Sequence, residues 1–163
     1  MRFQFKALAE NNFDLLHRWL NQDHVARYWD KTQSLEAVQK RYSSYIISSY
    51  IFPYIIEQDE HPIGFFQSYR ASKIGEGWWE NYDDSTWGID AFIADTSKLN
   101  KGIGSQFLKE FSDGLLLKPE VSSIISDPSP ENFRAIRAYE KAGFSKLKNI
   151  TTPDGPALLM LKK

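Results

Sequence analysis

Between Gly75 and Asp90 the chain reads GEGWWENYDDSTWGID, in which three tryptophans and a tyrosine stand among Glu76, Glu80, Asp83, Asp84 and Asp90 with no basic residue in the run. Carboxylates and aromatic faces together suit a ligand with several positive charges, since the acids pair with ammonium groups and the rings meet them through cation–π contact. The same letters also describe a solvated acidic loop with a few buried rings, and both readings stay open on this stretch alone. A second candidate is KGIG, residues 101–104. Glycines so spaced between a strand and a helix let backbone amides at Gly102 and Gly104 point into one concavity at a helix N-terminus, where the helix dipole adds attraction for phosphate oxygens. Alone, the pair is equally a tight turn. The chain has no cysteine, which removes disulfides, thiolate metal sites and cysteine nucleophiles and fits a reducing compartment. His17, His24 and His61 have no HExxH-type spacing, so no metal site is expected.

Positioning these residues falls to a series of short elements. Phe3 to Leu8 alternates as a strand, and ENN then opens a helix carried by Phe13, Leu16, Trp19 and Leu20. A second helix follows Thr32 and Ser34. Pro53 suits a strand edge or entry, and FPYIIEQDEHPIGFFQSYR reads as a hairpin with a polar turn from Gln58 to His61. WGIDAFIAD is a further strand, LNKGIG a glycine turn, and SQFLKEFSDGLLL a helix with apolar residues at 107, 108, 111 and 115. Val121 to Ser126 is the next strand; Pro128 and Pro130 end it, and Ser129 or Pro130 starts the helix ENFRAIRAYEKAG. Phe133, Ile136 and Tyr139 or Glu140 lie on related faces of that helix, and Gly143 is its left-handed stop. Phe144 to Ile150 and Ala157 to Leu161 follow as strands around TTPDGP. The order is βααβββαβαββ, a mixed α/β fold without linker or repeat, and residues 1–163 are expected to form one domain.

The composition, 42% hydrophobic and 25% charged, is that of a globular protein, and a net charge of −1 carries no basic excess for nucleic acid. MRFQFKALAENNF lacks the apolar run of a signal peptide, so the expected compartment is the cytoplasm. YIISSYIFPYII, broken by two serines and a proline, falls well short of the roughly 20 residues a membrane span needs. It reads as core, with no membrane partner.

The glycine loop and the later DPSPENFRAIRAYEKAGF together resemble the acetyl-CoA site of the GNAT N-acetyltransferase superfamily. The pattern of Asn132, Ala135, Tyr139, Gly143 and Phe144 matches the helix after that site, and the element order matches the superfamily's largely antiparallel sheet flanked by helices. The resemblance implies acetyl-CoA as cosubstrate and no metal, with Phe92, Ile93, Asn100, Lys101, Gly102, Ile103, Gly104, Ser105 and Asn132 on the cofactor side. One departure is Leu99, where the superfamily usually has Gln or Arg three residues before the first glycine; it removes a polar side chain but not the amide nest.

GEGWWE, GIDAFIAD, DPSPENFRAIRAYEKAGF and TTPDGPA are similar, in order, to segments of the aminoglycoside 6′-N-acetyltransferases of bacterial resistance, a likeness that runs from WLNQDHV to the last strand. It implies a polycationic aminosugar acceptor, with Trp29, Gln67, Glu76, Trp78, Asp90, Asp127 and Asp154 on its side of the site. By the same resemblance Asp90 takes the amine proton, directly or through water, a backbone N–H near Phe92 or Ile93 meets the oxyanion, and Tyr139 protonates the leaving thiolate. His24, Tyr28 and Trp29 either close the acceptor site or pack; Trp79 and Trp87 read as core or wall, Asp83 and Asp84 as a solvated loop, and Asp154 also suits a turn. The competing functions are a GNAT enzyme for another amine, such as a hydroxylysine-type siderophore precursor or a polyamine, and a non-catalytic acetyl-CoA-binding module. A monomer or a homodimer is compatible with either.

Overall fold

The computed structural model describes residues 3–29, 33–74 and 82–163. Its elements are β1 (Phe3–Ala7), α1 (Phe13–Leu20), a single turn α2 (Asp23–Ala26), α3 (Leu35–Ile46), β2 (Ile51–Gln58), β3 (His61–Arg70), β4 (Thr86–Ile93), α4 (Ile103–Leu116), β5 (Ser123–Ser126), α5 (Phe133–Lys141), β6 (Ser145–Thr152) and β7 (Gly155–Lys162). This is the expected order with α2 added, four residues being too few to show a period. The strands hydrogen-bond as a seven-stranded sheet in the order β1-β2-β3-β4-β5-β7-β6. The β4·β5 pair is parallel, whereas β1·β2, β5·β7 and β6·β7 are antiparallel.

Local chemistry sets most boundaries. Ser34 caps α3, its hydroxyl accepting from the Ala37 N–H at 3.1 Å. Pro53 lies inside β2, where the register with β1 has just ended at Ala7↔Tyr54; it offers only its carbonyl, to the Leu8 N–H. The polar hairpin turn tightens to Asp59 and Glu60, both left-handed at φ 50° and 66°. Helix α4 starts earlier than the glycine turn suggested, because Gly102 is its N-cap at φ 75° and Gly104 already lies in the first turn. Helix α5 starts later than Ser129 or Pro130, because Asn132 caps it by accepting from the Ala135 N–H at 3.2 Å. Phe133 is then the first helical residue and 71% exposed, leaving the buried face to Ile136 and Tyr139. The TTPDGP loop shrinks to Pro153 and Asp154, since Thr152 pairs with Gly155, which takes φ 117°.

The chain divides into two compact units, residues 1–67 with 91–98 and residues 68–90 with 99–163. The first has a core built on Leu16, Leu20, Val38, Tyr42 and Phe65. The second buries Phe107, Ile124, Ile125 and Leu159, together with the charged Lys162. Lys162, only 8% exposed, donates to the Ser112 hydroxyl, the Asp113 carboxylate and the Ala142 carbonyl, so its three N–H groups tie β7 to α4 and to the end of α5. No helix among the described residues is long and apolar enough to cross a membrane.

Candidate active site

In the second unit the register of β4 with β5 ends at Gly88↔Ile125. Just beyond it, the Tyr139 phenol donates to the Ile89 carbonyl at 3.5 Å, a long contact that leaves the hydroxyl lightly held. The end of α5 seats this tyrosine. Gly143, at φ 100°, lets the Phe144 and Gly143 N–H groups turn back to the carbonyls of Tyr139 and Glu140, and the Phe144 ring meets the Tyr139 ring edge-on at 5.2 Å. The Ser126 hydroxyl, at the end of β5, shares a hydrogen bond with the phenol.

Gly88 and Asp90 are two apart on β4 and so face the same side of the strand. The Tyr69 ring fills the place where Gly88 lacks a side chain, and its hydroxyl donates to the Asp90 carboxylate. Asp127 follows directly on β5, and Asp154 stands exposed in the β6–β7 turn, its N–H donating to the Thr152 hydroxyl. Burial, then the charge of Asp90, and less strongly that of Asp154, push the Asp127 carboxyl up to about 8, against a hydrogen bond from its own N–H. Burial first, then Asp90 and Asp127, also hold Tyr69 and Tyr139 well above the ordinary phenol range. Asp90, Asp127 and the two protonated phenols thus act on one another here, and Asp154 acts on Asp127. A cation brought to this cluster relieves repulsion that the folded chain otherwise carries.

The acid-rich stretch of the sequence splits in space. The Asp83 carboxylate accepts from the N–H and hydroxyl of Ser85, which hold it below its ordinary value, and Asp84 accepts from Ser72 at 2.6 Å. Both turn to local hydroxyls, as a solvated loop does. Trp87 is buried, with the Arg70 guanidinium 5.2 Å from its ring centre, so a run without basic residues gains one from the neighbouring strand. Asp90 joins the cluster, and Glu76, Trp78 and Trp79 lie outside the described residues.

The glycine loop precedes α4 in the same unit. Asn100 and Gly102 are both left-handed, and the α4 N-terminus carries no side-chain cap; the Ser105 hydroxyl turns back to the Gly102 carbonyl instead. Of the two glycines only Gly102 uses its conformational freedom. Ile103 is buried, so it can offer a ligand only its backbone, and Lys101 is an exposed cation beside it. An uncapped helix N-terminus behind a left-handed turn fits the phosphates of a CoA thioester. Asn132 has its oxygen committed to the α5 cap, leaving its amide N–H groups for a ligand.

The remaining residues singled out by sequence lie in the first unit. Trp29 packs edge-on against Phe92 and Phe65 at 5.0 and 5.8 Å, and Phe92 stacks on Phe65, so both side chains belong to an aromatic core. His24 donates through Nε2 to the Ile93 carbonyl at 2.9 Å, which makes it a tie between α2 and β4. Gln67 is half-buried in β3, and Tyr28 is exposed. Sequence reasoning missed Tyr69 and Ser126. The one available signal was Gly88, since a glycine inside a strand marks close approach by another group.

Comparison with known proteins identifies the family. Residues 9–152 match the model of the acetyltransferase (GNAT) domain. The chain is 40% identical over 162 residues to aminoglycoside N(6′)-acetyltransferase type 1 of Klebsiella pneumoniae, covering 96% of this chain and 81% of that one. Among solved structures it is similar to AAC(6′)-Ib in complex with paromomycin and acetyl-CoA, with a TM-score of 0.93, 39% identity, and coverage of 100% of this chain and 94% of that one. A complex of the same aminoglycoside acetyltransferase with coenzyme A and kanamycin matches with a TM-score of 0.91 and 40% identity, over 99% and 95% of the two chains.

Proposed function

We propose that this chain, which belongs to the GNAT acetyltransferase family, transfers the acetyl group of acetyl-CoA to the 6′-amine of an aminoglycoside by direct attack in a ternary complex. The observation that carries the acceptor is the pair Asp90 and Asp127 beside two buried phenols, with Asp154 acting more weakly on Asp127, so that the charges weighing on Asp127 are carboxylates. Residues 1–163 act as one catalytic domain, a reading supported by a family match that runs across both compact units. The reaction is cytoplasmic, where acetyl-CoA is available, and needs a monomer or homodimer and no metal.

An alkyl ammonium has a pKa of about 10.4, so about one amine in a few thousand is neutral at pH 7. Asp90 orients the amine and draws off its proton, directly or through water. Asp127 holds a proton in the free enzyme and releases it when an ammonium arrives to pair with the cluster. When bound, acetyl-CoA supplies the electrophilic thioester and a thiolate leaving group. The Asn100–Ser105 turn and the amide of Asn132 hold its phosphates and chain. Tyr139 gives the thiolate its proton: acceptor ammonium groups neutralise Asp90 and Asp127, two of the causes that raise the phenol, and Ser126 donates to the oxygen left behind.

CoA release with a panel of amines tests this reading. Aminoglycosides with a 6′-amine should turn over, those with a hydroxyl in its place should not, and the product should carry acetyl on that nitrogen. Turnover confined to polyamines or hydroxylysine-type amines would move the acceptor assignment, and tight acetyl-CoA binding without turnover would make the chain a binding module.

A further inference from the structure

Among the described residues, the acceptor-side mechanism leaves the buried Tyr69 unused. Tyr69, 3% exposed near the end of β3, neither stabilises a helix end nor meets solvent. Its ring lies so close to β4 that a Cβ on Gly88 would stand 2.1 Å from Cε2, 2.3 Å from Cζ and 2.7 Å from the hydroxyl oxygen. No side chain fits there. Because Gly88 and Asp90 share a face of β4, the gap at Gly88 directs the phenol along that face to Asp90, where it donates a hydrogen bond. The Tyr139 hydroxyl reaches the carbonyl of Ile89, the residue between Gly88 and Asp90 in the strand.

We propose that Tyr69 is a positioning residue for acetyl transfer: seated in the notch left by Gly88, its hydroxyl holds the Asp90 carboxylate in the orientation that receives the attacking amine. The inference rests on the reading of Asp90 given above. A carboxylate rotates freely and has about four acceptor sites; a neutral donor that occupies one of them fixes its plane and leaves the others for an ammonium. A phenol does this without adding positive charge, which would repel the acceptor. Glycine at 88 is therefore part of the site, although it touches no substrate.

Tyr69→Phe keeps the ring in its notch and removes only the donor, so its Tm should stay close to that of the wild type. With whichever amine the wild type turns over best, kcat/KM should fall about ten- to a hundred-fold, the equivalent of one hydrogen bond to a charged group, while KM for acetyl-CoA is unchanged. The loss should vanish in an Asp90→Asn background, since the hydroxyl acts through that carboxylate. A separate measurement needs no acceptor: 13C-carboxyl NMR of Asp90 should titrate at higher pH in Tyr69→Phe than in the wild type, because the donor favours the charged form. Gly88→Ala should reproduce the kinetic loss by displacing the ring. An unchanged Asp90 titration, or a loss that persists in the Asp90→Asn background, overturns the proposal. If the wild type acetylates amines other than aminoglycosides, the acceptor assignment fails while these comparisons still decide the role of Tyr69.

Discussion

Tyr139 and Asp127 make opposite demands on protons, and each yields a distinct kinetic signature. A phenol that acts only as the thiolate departs contributes nothing to acceptor binding. Tyr139→Phe should therefore lower kcat about 10²-fold, the scale of general acid catalysis, with acceptor KM nearly constant. Full turnover by a folded variant, with chemistry rate-limiting, would leave water as the acid. Asp127 is protonated in the folded free chain up to about 8, whereas an unfolded aspartate ionises near 3.9. Between those values the folded state binds the extra proton, so the stability this group contributes at low pH is lost as pH rises from about 4 to about 8. Asp127→Asn should come nearest the wild-type Tm at about pH 4 or below and exceed it increasingly up to about pH 9; equal pH slopes for the two proteins would refute the shift. Asp90 and Asp154 were legible because their motifs are contiguous in sequence. Tyr69 was not, since nothing in the spacing of residues 69, 88 and 90 says which strand lies beside which.

At the scale of elements, helix ends carry the cofactor side of the proposed site. The sequence signals for these ends were direct: Ser34 before α3 and Gly143 after α5 act as a residue's own chemistry dictates. Boundaries moved where two candidate caps competed, as when Asn132 took α5 from Ser129 and Pro130. Asn132 is thus claimed twice, as a cap in the structure and as a cofactor ligand by its motif. Asn132→Asp separates the claims. It keeps an acceptor for the Ala135 N–H, so Tm should hold, but it sets a negative charge beside the cosubstrate's phosphates and should raise the KM for acetyl-CoA several-fold. An unchanged KM would make Asn132 a cap alone. Removing the acceptor, as in Asn132→Ala, should cost about 1 kcal/mol of stability.

At the scale of the molecule, the net charge of −1 offers little long-range attraction for a polycation, so selectivity falls to the local cluster. Added salt should raise the acceptor KM more than that of acetyl-CoA, because several separated charge contacts are screened together. A salt-insensitive acceptor KM would point to a less charged substrate. The strand order carries a further consequence, for assembly rather than for chemistry. β7 lies between β5 and β6, and among the described residues β6 pairs with β7 at the edge of the sheet. During synthesis α4, β5 and α5 emerge before the strand that flanks them, and the three hydrogen bonds of Lys162 form only after β7 has inserted. The glycine turn and Tyr139 are therefore translated before the strand whose insertion fixes them. On the ribosome, the pulling force that marks folding of the second unit should appear only once β7 has cleared the exit tunnel, and until then the open edge of β5 is the segment for a chaperone to cover.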